Sequence, residues 1–236
     1  MSLTTILFDL DGTLLPMDQE KFIENYFKRL CQYMAPHGYD PKKLVDTIWS
    51  GTEAVIRNTG SDSNETVFWR TAEKIYGEKI LQDKALFDEF YKVDFDKVKE
   101  VCTPNPAALE TVRSLAAAGY RVVLATNPIF PAVATEHRIR WTGLTPEDFV
   151  LCTTYENIHR AKPNPEYYRV IADRLHVRPE ECLMVGNDVD DDMPARAVGM
   201  DVFLLTDCLI NKSGTDISAF ANGGFPQLQA YIQSHT

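Results

Sequence analysis

Five short apolar runs punctuate the chain: Thr4–Phe8, Arg121–Ala125, Phe149–Cys152, Cys182–Val185 and Val202–Leu205. Each is nearly continuous in its apolarity rather than alternating, which predicts strands buried on both faces of a parallel sheet. Between the later runs the apolar residues return at helical spacing. Asn105-Pro106 supplies an N-cap and first-turn pair, Leu109, Val112 and Leu115 form a stripe, and Gly119 ends it. Asn164-Pro165 opens another helix, which carries Tyr168, Ile171 and Leu175. Strand and helix in repetition predict an α/β fold with a doubly wound parallel sheet.

The gap between the first two runs is too long for one crossover. Residues 18 to 98 hold four helical patterns. Phe22, Ile23, Tyr26, Phe27 and Leu30 mark the first, and Asp40-Pro41 opens the second, with Leu44, Val45, Ile48 and Trp49. Asp62 and Glu65 have the spacing of a capping box for the third, which ends at Gly77. Leu86, Phe87, Phe90 and Tyr91 mark the fourth. The aromatics here, Trp49 and Trp69 among them, read as a small helical core rather than a ligand cage. The expected organisation is a catalytic core of residues 1–17 plus 99–236, with a helical cap domain of residues 18–98 inserted after the first strand.

A hydrophobic fraction of 44% and a charged fraction of 25% fit a folded chain with a substantial core. No apolar run approaches the ~20 residues needed to cross a bilayer. The first fifteen residues carry no Lys or Arg, and Asp9 and Asp11 interrupt their apolar stretch. A secretory signal is therefore not expected, and the cytoplasm is the expected compartment. The net charge of −10 opposes a nucleic-acid backbone as partner. It leaves a small anionic substrate open, because a metal and one lysine reverse the field inside a cleft. The cysteines (Cys31, Cys102, Cys152, Cys182, Cys208) lie far apart, with no pair at metal-knuckle spacing, and read as reduced thiols. Cys152 and Cys182 fall inside apolar runs and read as core residues.

The candidate chemistry sits where the runs end. Phe8-Asp9-Leu10-Asp11-Gly12-Thr13 places two carboxylates at the exit of a buried strand, costly unless something positive joins them, and Gly12 permits the sharp turn that aims both one way. Thr126-Asn127-Pro128 offers a hydroxyl and an amide suited to phosphoryl oxygens. Lys162 is followed by Pro163, which stiffens the backbone beside a fixed positive charge. Gly186-Asn187-Asp188-Val189-Asp190-Asp191-Asp192 gathers four carboxylates after a strand, a composition suited to a hard cation such as Mg²⁺. In doubly wound sheets ligands bind outside the carboxyl ends of the strands, so these clusters are expected to converge.

In this order and at these strand ends, the clusters resemble the four motifs of the haloacid dehalogenase superfamily, over residues 3 to about 205. The resemblance implies a Rossmann-like core and, from the position of the insert, a C1-type helical cap. It implies a Mg²⁺-dependent phosphatase acting on a small phosphorylated metabolite. Asp9 would be the nucleophile that becomes an aspartyl-phosphate, and Asp11 the acid and base. Thr126, Asn127 and Lys162 would hold the phosphoryl oxygens. Mg²⁺ would rest on Asp9, the Asp11 carbonyl and a fourth-motif acid. Family members usually follow the fourth-motif glycine directly with Asp, whereas Asn187 intervenes here. Either Asp188 is the ligand with Asp192 behind it, or Asn187 serves through its amide oxygen; a charged oxygen favours Asp188, and Asp191 and Asp192 compete for the supporting role. Dehalogenases of the superfamily carry an aromatic residue where this chain has Asp11. A sugar-phosphate mutase sharing the same intermediate, and a catalytically silent binding scaffold, are the alternative readings. For a second anionic group on the substrate, Arg57, Arg70, His159 and Arg160 are the candidate contacts. Leu14 to Gln19 and the segment Trp49-Ser50-Gly51-Thr52 are the stretches expected to face the site.

Overall fold

All five apolar runs form strands: β1 (Thr5–Phe8), β2 (Arg121–Leu124), β3 (Leu151–Cys152), β4 (Cys182–Gly186) and β5 (Asp201–Leu205). The computed structural model describes residues 2–235; residues 1 and 236, the outer limits of the expected core, lie outside them. A sixth strand, β6 (Ala221–Gly223), escaped the sequence reading, because three small or polar residues on a partly exposed edge carry no apolar run. The sheet runs β3-β2-β1-β4-β5-β6 and every pairing is parallel. Alternate residues feed opposite apolar clusters, Ile6, Phe8 and Leu124 on one face and Leu7, Val123 and Met184 on the other. The continuous runs are thus strands covered on both sides, as their composition requires.

Strand order reverses at β1, which pairs with β2 on one side and β4 on the other. Such a reversal opens a crevice at the carboxyl end of the strands. Asp9 is the first residue beyond β1, and its N–H donates to the carbonyl of Val185 on β4 (2.9 Å).

Between β1 and β2 the chain forms α1 (Gln19–Met34), α2 (Pro41–Ile56), α3 (Asn64–Tyr76), α4 (Lys79–Gln82), α5 (Lys84–Val93) and a 3₁₀ segment, Phe95–Val101. The single turn of α4 is too short to show periodicity in sequence. The expected Asp62–Glu65 capping box is not formed. Helix α3 starts one residue later, with Ser63 as N-cap accepting from the Thr66 N–H (3.2 Å). The N–H groups of Asn64 and Glu65 go instead to the carbonyls of Ile158 and Tyr155 (3.0 and 2.7 Å). Asp62 pairs with Arg70 and Glu65 with Lys84 (both 2.9 Å). These bonds satisfy the open N-terminus of α3 and tie it to the loop that leads to Lys162.

Helices α6 (Pro106–Ala117), α7 (Ala132–Trp141), α8 (Glu166–Leu175) and α9 (Phe225–Ser234) flank the sheet. Asn105 caps α6 through Ala107 N–H (2.9 Å), as its Asn-Pro start predicts. Phe22, Tyr26 and Phe95 of the insert meet Phe130, just beyond β2, at ring separations of 6.4, 5.4 and 6.0 Å. No helix among the described residues is long and apolar enough to cross a membrane.

Candidate active site

The strand ends bring one lysine between two buried carboxylates. Lys162 Nζ lies 2.7 Å from Asp9 Oδ1 and 2.6 Å from Asp192 Oδ1, and the lysine is only 1% exposed. Burial by itself pulls the Lys162 pKa down, but Asp192 and Asp9 outweigh it and hold the ammonium well above its usual range. Asp192 is raised, because burial and the neighbouring Asp9 disfavour its charge and a single lysine serves both acids. Asp192 also accepts the Asp188 N–H on its second oxygen (3.0 Å). A Cβ on Gly186 would collide with the Asp192 carboxylate, so only glycine lets that acid fold back under the strand.

The loop after β1 is fixed from the fourth cluster. Gly12 has φ +86°, and a Cβ there would strike the Asn187 amide. Thr13 Oγ1 donates to Asn187 Oδ1 (2.8 Å), while Asn187 Nδ2 donates to the Cys208 carbonyl (2.7 Å). Asn187, 1% exposed, therefore latches two loops together. Asp188 is half-buried; its Oδ1 accepts the N–H groups of Asp190 and Asp191 (2.8 and 3.1 Å) and closes the turn that sends Asp192 inward.

Thr126 and Asn127 lie one strand over, at the end of β2. Thr126 is 2% exposed, and its carbonyl accepts from the hydroxyls of Thr153 and Tyr167 (2.8 Å each). Asn127 Nδ2 reaches Asp191 Oδ2 at 3.4 Å, and burial raises the Asp191 pKa.

Asp11 has a partner that sequence reasoning missed. Arg138 of α7, fully buried, forms an ion pair with Asp11 Oδ2, donates to Thr135 Oγ1 (3.3 Å) and stacks on the Phe130 ring at 4.5 Å. In sequence it sits in Glu136-His137-Arg138-Ile139-Arg140, which reads as an ordinary charged helix face; nothing local marks it. Burial raises the Asp11 pKa, with Asp9 adding to the rise, while Arg138 and Lys162 pull it down.

Five carboxylates (Asp9, Asp11, Asp188, Asp191, Asp192) thus share this end of the sheet with two cations, Lys162 and Arg138. Two buried oxygens, Asp11 Oδ1 and Asn127 Oδ1, have no hydrogen-bond partner. Unspent hard oxygens and surplus negative charge suit a hard cation. No three acids, histidines or cysteines among the described residues form a ready-made metal cage. Mg²⁺ needs none, since it commonly rests on one or two carboxylates, waters and substrate phosphate. A cavity of about 270 Å³ opens above Asp11, Asn127 and Asp191, walled by the insert. Met17, Gln19, Trp49 and Thr52 line it, so both stretches expected to face the site do so, whereas Arg57, Arg70, His159 and Arg160 do not. The aromatics of the insert form a helical core through Phe90 and Phe95, yet Trp49 is 47% exposed at the cavity rim. All five cysteines are free; Cys182 is buried, Cys152 only partly, and burial pushes the thiols of Cys102, Cys152 and Cys182 up to about 12, far from a reactive range.

Comparison with known proteins places this geometry. The chain is 27% identical over 204 residues to a phosphoglycolate phosphatase of Vibrio vulnificus, covering 85% of this chain and 82% of that one. It is 28% identical over 199 residues to the pyrophosphatase PpaX of Bacillus cereus, covering 84% and 81%. A crystal structure described as a "predicted phosphoglycolate phosphatase" from Haemophilus somnus superposes with a TM-score of 0.61 at 18% identity over 99% of both chains, a likeness of fold. The family model described as haloacid dehalogenase-like hydrolase matches residues 3–199, which hold β1 to β4 and the acidic crevice, while β5 and β6 lie beyond it. On that match the chain belongs to the haloacid dehalogenase-like hydrolases.

Proposed function

We propose that the chain is a Mg²⁺-dependent phosphatase that hydrolyses the monoester of a small phosphorylated metabolite through an aspartyl-phosphate on Asp9. The observation that carries this reading is the Asp9–Lys162–Asp192 arrangement at the central strand end. A carboxylate nucleophile and a dianionic ester repel each other, so fixed positive charge must already be in place. Relatives with phosphatase and pyrophosphatase names support the same class of reaction.

In the first step the free Asp9 oxygen attacks phosphorus as the ester P–O bond breaks, and Asp11 gives its proton to the departing oxygen. In the second, water attacks the same phosphorus while Asp11 takes its proton; the P–O bond to Asp9 breaks and inorganic phosphate leaves. The opposed influences on Asp11, burial upward and Arg138 downward, suit a group that must both give and accept a proton. Thr126, Asn127 and Lys162 hold the phosphoryl oxygens. Mg²⁺ would be held by Asp9, the Asp11 carbonyl and Asp188, supplying positive charge at the transferring group. Asp192 stands behind, fixing Lys162 and the Asp188 backbone, and Asn187 acts as a latch rather than a ligand. The insert, residues 18–98, acts as a cap over the core, residues 1–17 plus 99–236, and contacts the leaving group. The test is phosphate release from a panel of small esters, with Mg²⁺ and with EDTA. Release that needs Mg²⁺ and is lost in Asp9→Asn is expected; metal-independent release, or full activity of Asp9→Asn, would overturn the mechanism.

A further inference from the structure

The two enzymes named above act, by their names, on substrates with a second anionic group, and such a group needs a cation to receive it. The chamber above Asp11 has none: among the described residues no Lys, Arg or His lines it. Its charged lining residues are Asp11 and Asp191, both acidic. The cations of the neighbourhood are committed elsewhere. Arg138 is fully buried on Asp11, and Lys84, 5.1 Å from the Trp69 ring, is held by Glu65. Arg57 pairs with Glu53 and Arg70 with Asp62 (2.6 and 2.9 Å), and Arg160 donates to the Gly60 and His159 carbonyls. Burial and Arg160 lower the His159 pKa and favour its neutral form.

The walls are mostly apolar: the aromatic polar tips are spent on one another, and Gln19, Thr52 and Asn127 add only neutral polar groups. Tyr26 and Tyr91 share a hydrogen bond between hydroxyls (2.7 Å), and Trp69 Nε1 donates to the Tyr155 hydroxyl (3.2 Å). Burial raises the Tyr26 and Tyr155 pKa values, so both remain neutral phenols. The mouth is apolar too. Trp49 and Ile56, seven positions apart on one face of α2, are 47% and 37% exposed, and both belong to the chamber lining. Large apolar side chains left in water beside a cavity mark a binding surface. An apolar cavity of about 150 Å³ already accepts benzene, so about 270 Å³ holds one ring or a short branched hydrocarbon with its linking atoms.

We infer that the natural substrate is the phosphate monoester of a compact apolar alcohol, benzylic or short branched-chain, rather than an ester with a second anionic group. This rests on the phosphatase reading above. The phosphoryl end docks on Lys162 and the strand ends, and the hydrocarbon fills the chamber between Phe27, Trp49 and Phe68. A carboxylate placed there would lose its hydration with no cation to replace it and only the neutral groups of Gln19, Thr52 and Asn127 to meet it, next to two acids. Each methylene buried in the chamber contributes about a fourfold gain in kcat/KM.

The experiment measures kcat/KM for phosphate release by the full chain with Mg²⁺, using benzyl phosphate, 3-methylbutyl phosphate, glycerol phosphate, phosphoglycolate and pyrophosphate. The organic esters all release an aliphatic alcohol, so pocket contacts rather than leaving-group acidity dominate their ranking. The two apolar esters are expected to exceed phosphoglycolate and pyrophosphate by about 100-fold or more, as a site lacking the partner of a polar group rejects it. The Trp49→Ala change is expected to lower kcat/KM about tenfold for benzyl phosphate and by a much smaller factor for phosphoglycolate, and Ile56→Arg at the rim to shift the ratio toward phosphoglycolate. Phosphoglycolate, pyrophosphate or glycerol phosphate matching the apolar esters would overturn the inference while the phosphatase reading stands. No release from any of the five by folded protein would overturn both.

Discussion

The strand-end floor and the chamber above it are built on opposite principles. On the floor almost every polar atom is committed: Lys162 is shared by Asp9 and Asp192, Asn187 bridges Thr13 and the Cys208 carbonyl, and two glycines leave room for the side chains packed on them. The chamber is fixed by ring packing, such as Phe68 against Trp69 at 5.3 Å, and leaves space open. Charges at short range tolerate little displacement, whereas apolar contacts depend on volume and tolerate exchange of shape. Chemistry common to many substrates belongs on the first kind of surface, and choice among leaving groups on the second. If that division is right, floor substitutions act through charge, and chamber substitutions act through volume.

The largest effect is expected at Lys162. The Lys162→Met change leaves Asp9 and Asp192 buried with no cation, and removing one member of such a pair costs about 3–5 kcal/mol. Urea denaturation is expected to show that loss, and Lys162→Met with Asp192→Asn together to recover part of it. A loss under 1 kcal/mol would mean that water reaches the floor and the comparison with the chamber is too sharp.

Arg138→Met tests the other ion pair. The Asp11 side chain is 23% exposed, so the loss at neutral pH should fall below that of a fully buried pair, at about 2 kcal/mol. Its sign with pH follows from Asp11. That pKa is already raised by burial, and removing Arg138 raises it further. An acid with a raised folded pKa binds its proton more tightly folded than unfolded, so its contribution to stability falls as pH rises from the unfolded value, about 4, through the folded one. The variant should therefore lose more stability at pH 7 than at pH 4, and a loss independent of pH would assign Arg138 to packing alone. The alkaline limb of kcat is expected to move to higher pH.

Mg²⁺ gives a readout that needs no turnover. Binding to the folded floor at a hundredfold excess over Kd should raise Tm by roughly 5–10 °C. In Asp188→Asn the rise should shrink sharply, while Asn187→Ala should lower Tm with and without Mg²⁺ alike. The reverse pattern would make Asn187 the ligand.

The division between floor and chamber also explains what the sequence disclosed. Asp9 and Asp11 were legible because a carboxylate at the exit of an apolar strand is costly unless used, and that cost is local, whereas Lys162, in the loop beyond β3, stood out only through the resemblance of the four clusters taken together. Asp192 stood in the sequence as one of two candidates beside Asp191, and the turn closed by Asp188 sends it inward onto Lys162. Asn187 and Arg138 were illegible in role, since their partners Thr13 and Asp11 are 174 and 127 positions away. The chamber was half legible. Aromatic spacing predicted helices that pack, but whether a ring faces a neighbour or a void depends on how α1, α2 and α3 meet the Phe130 segment. The shifted start of α3 has the same origin, in bonds made with the distant Tyr155 and Ile158 carbonyls, whereas β6 was missed because its edge residues carry no apolar run.

The smallest predicted effect separates volume from charge most cleanly. Gly51, inside α2, faces the Phe68 ring, and a Cβ there would lie 2.6 Å from two of its carbons. The Gly51→Ala change should gain up to about 1 kcal/mol of helix propensity and lose about 1–3 kcal/mol to overpacking, leaving a net loss of roughly 1 kcal/mol in urea. Phe68 lines the chamber, so the displaced ring must take up part of its space. Mg²⁺-induced stabilisation should be unchanged, because no charged group moves, while the preference among apolar esters should turn toward the smaller. A change in the Mg²⁺ response of Gly51→Ala would show that packing in the insert and charge on the floor are mechanically coupled, and would break the division at its weakest point.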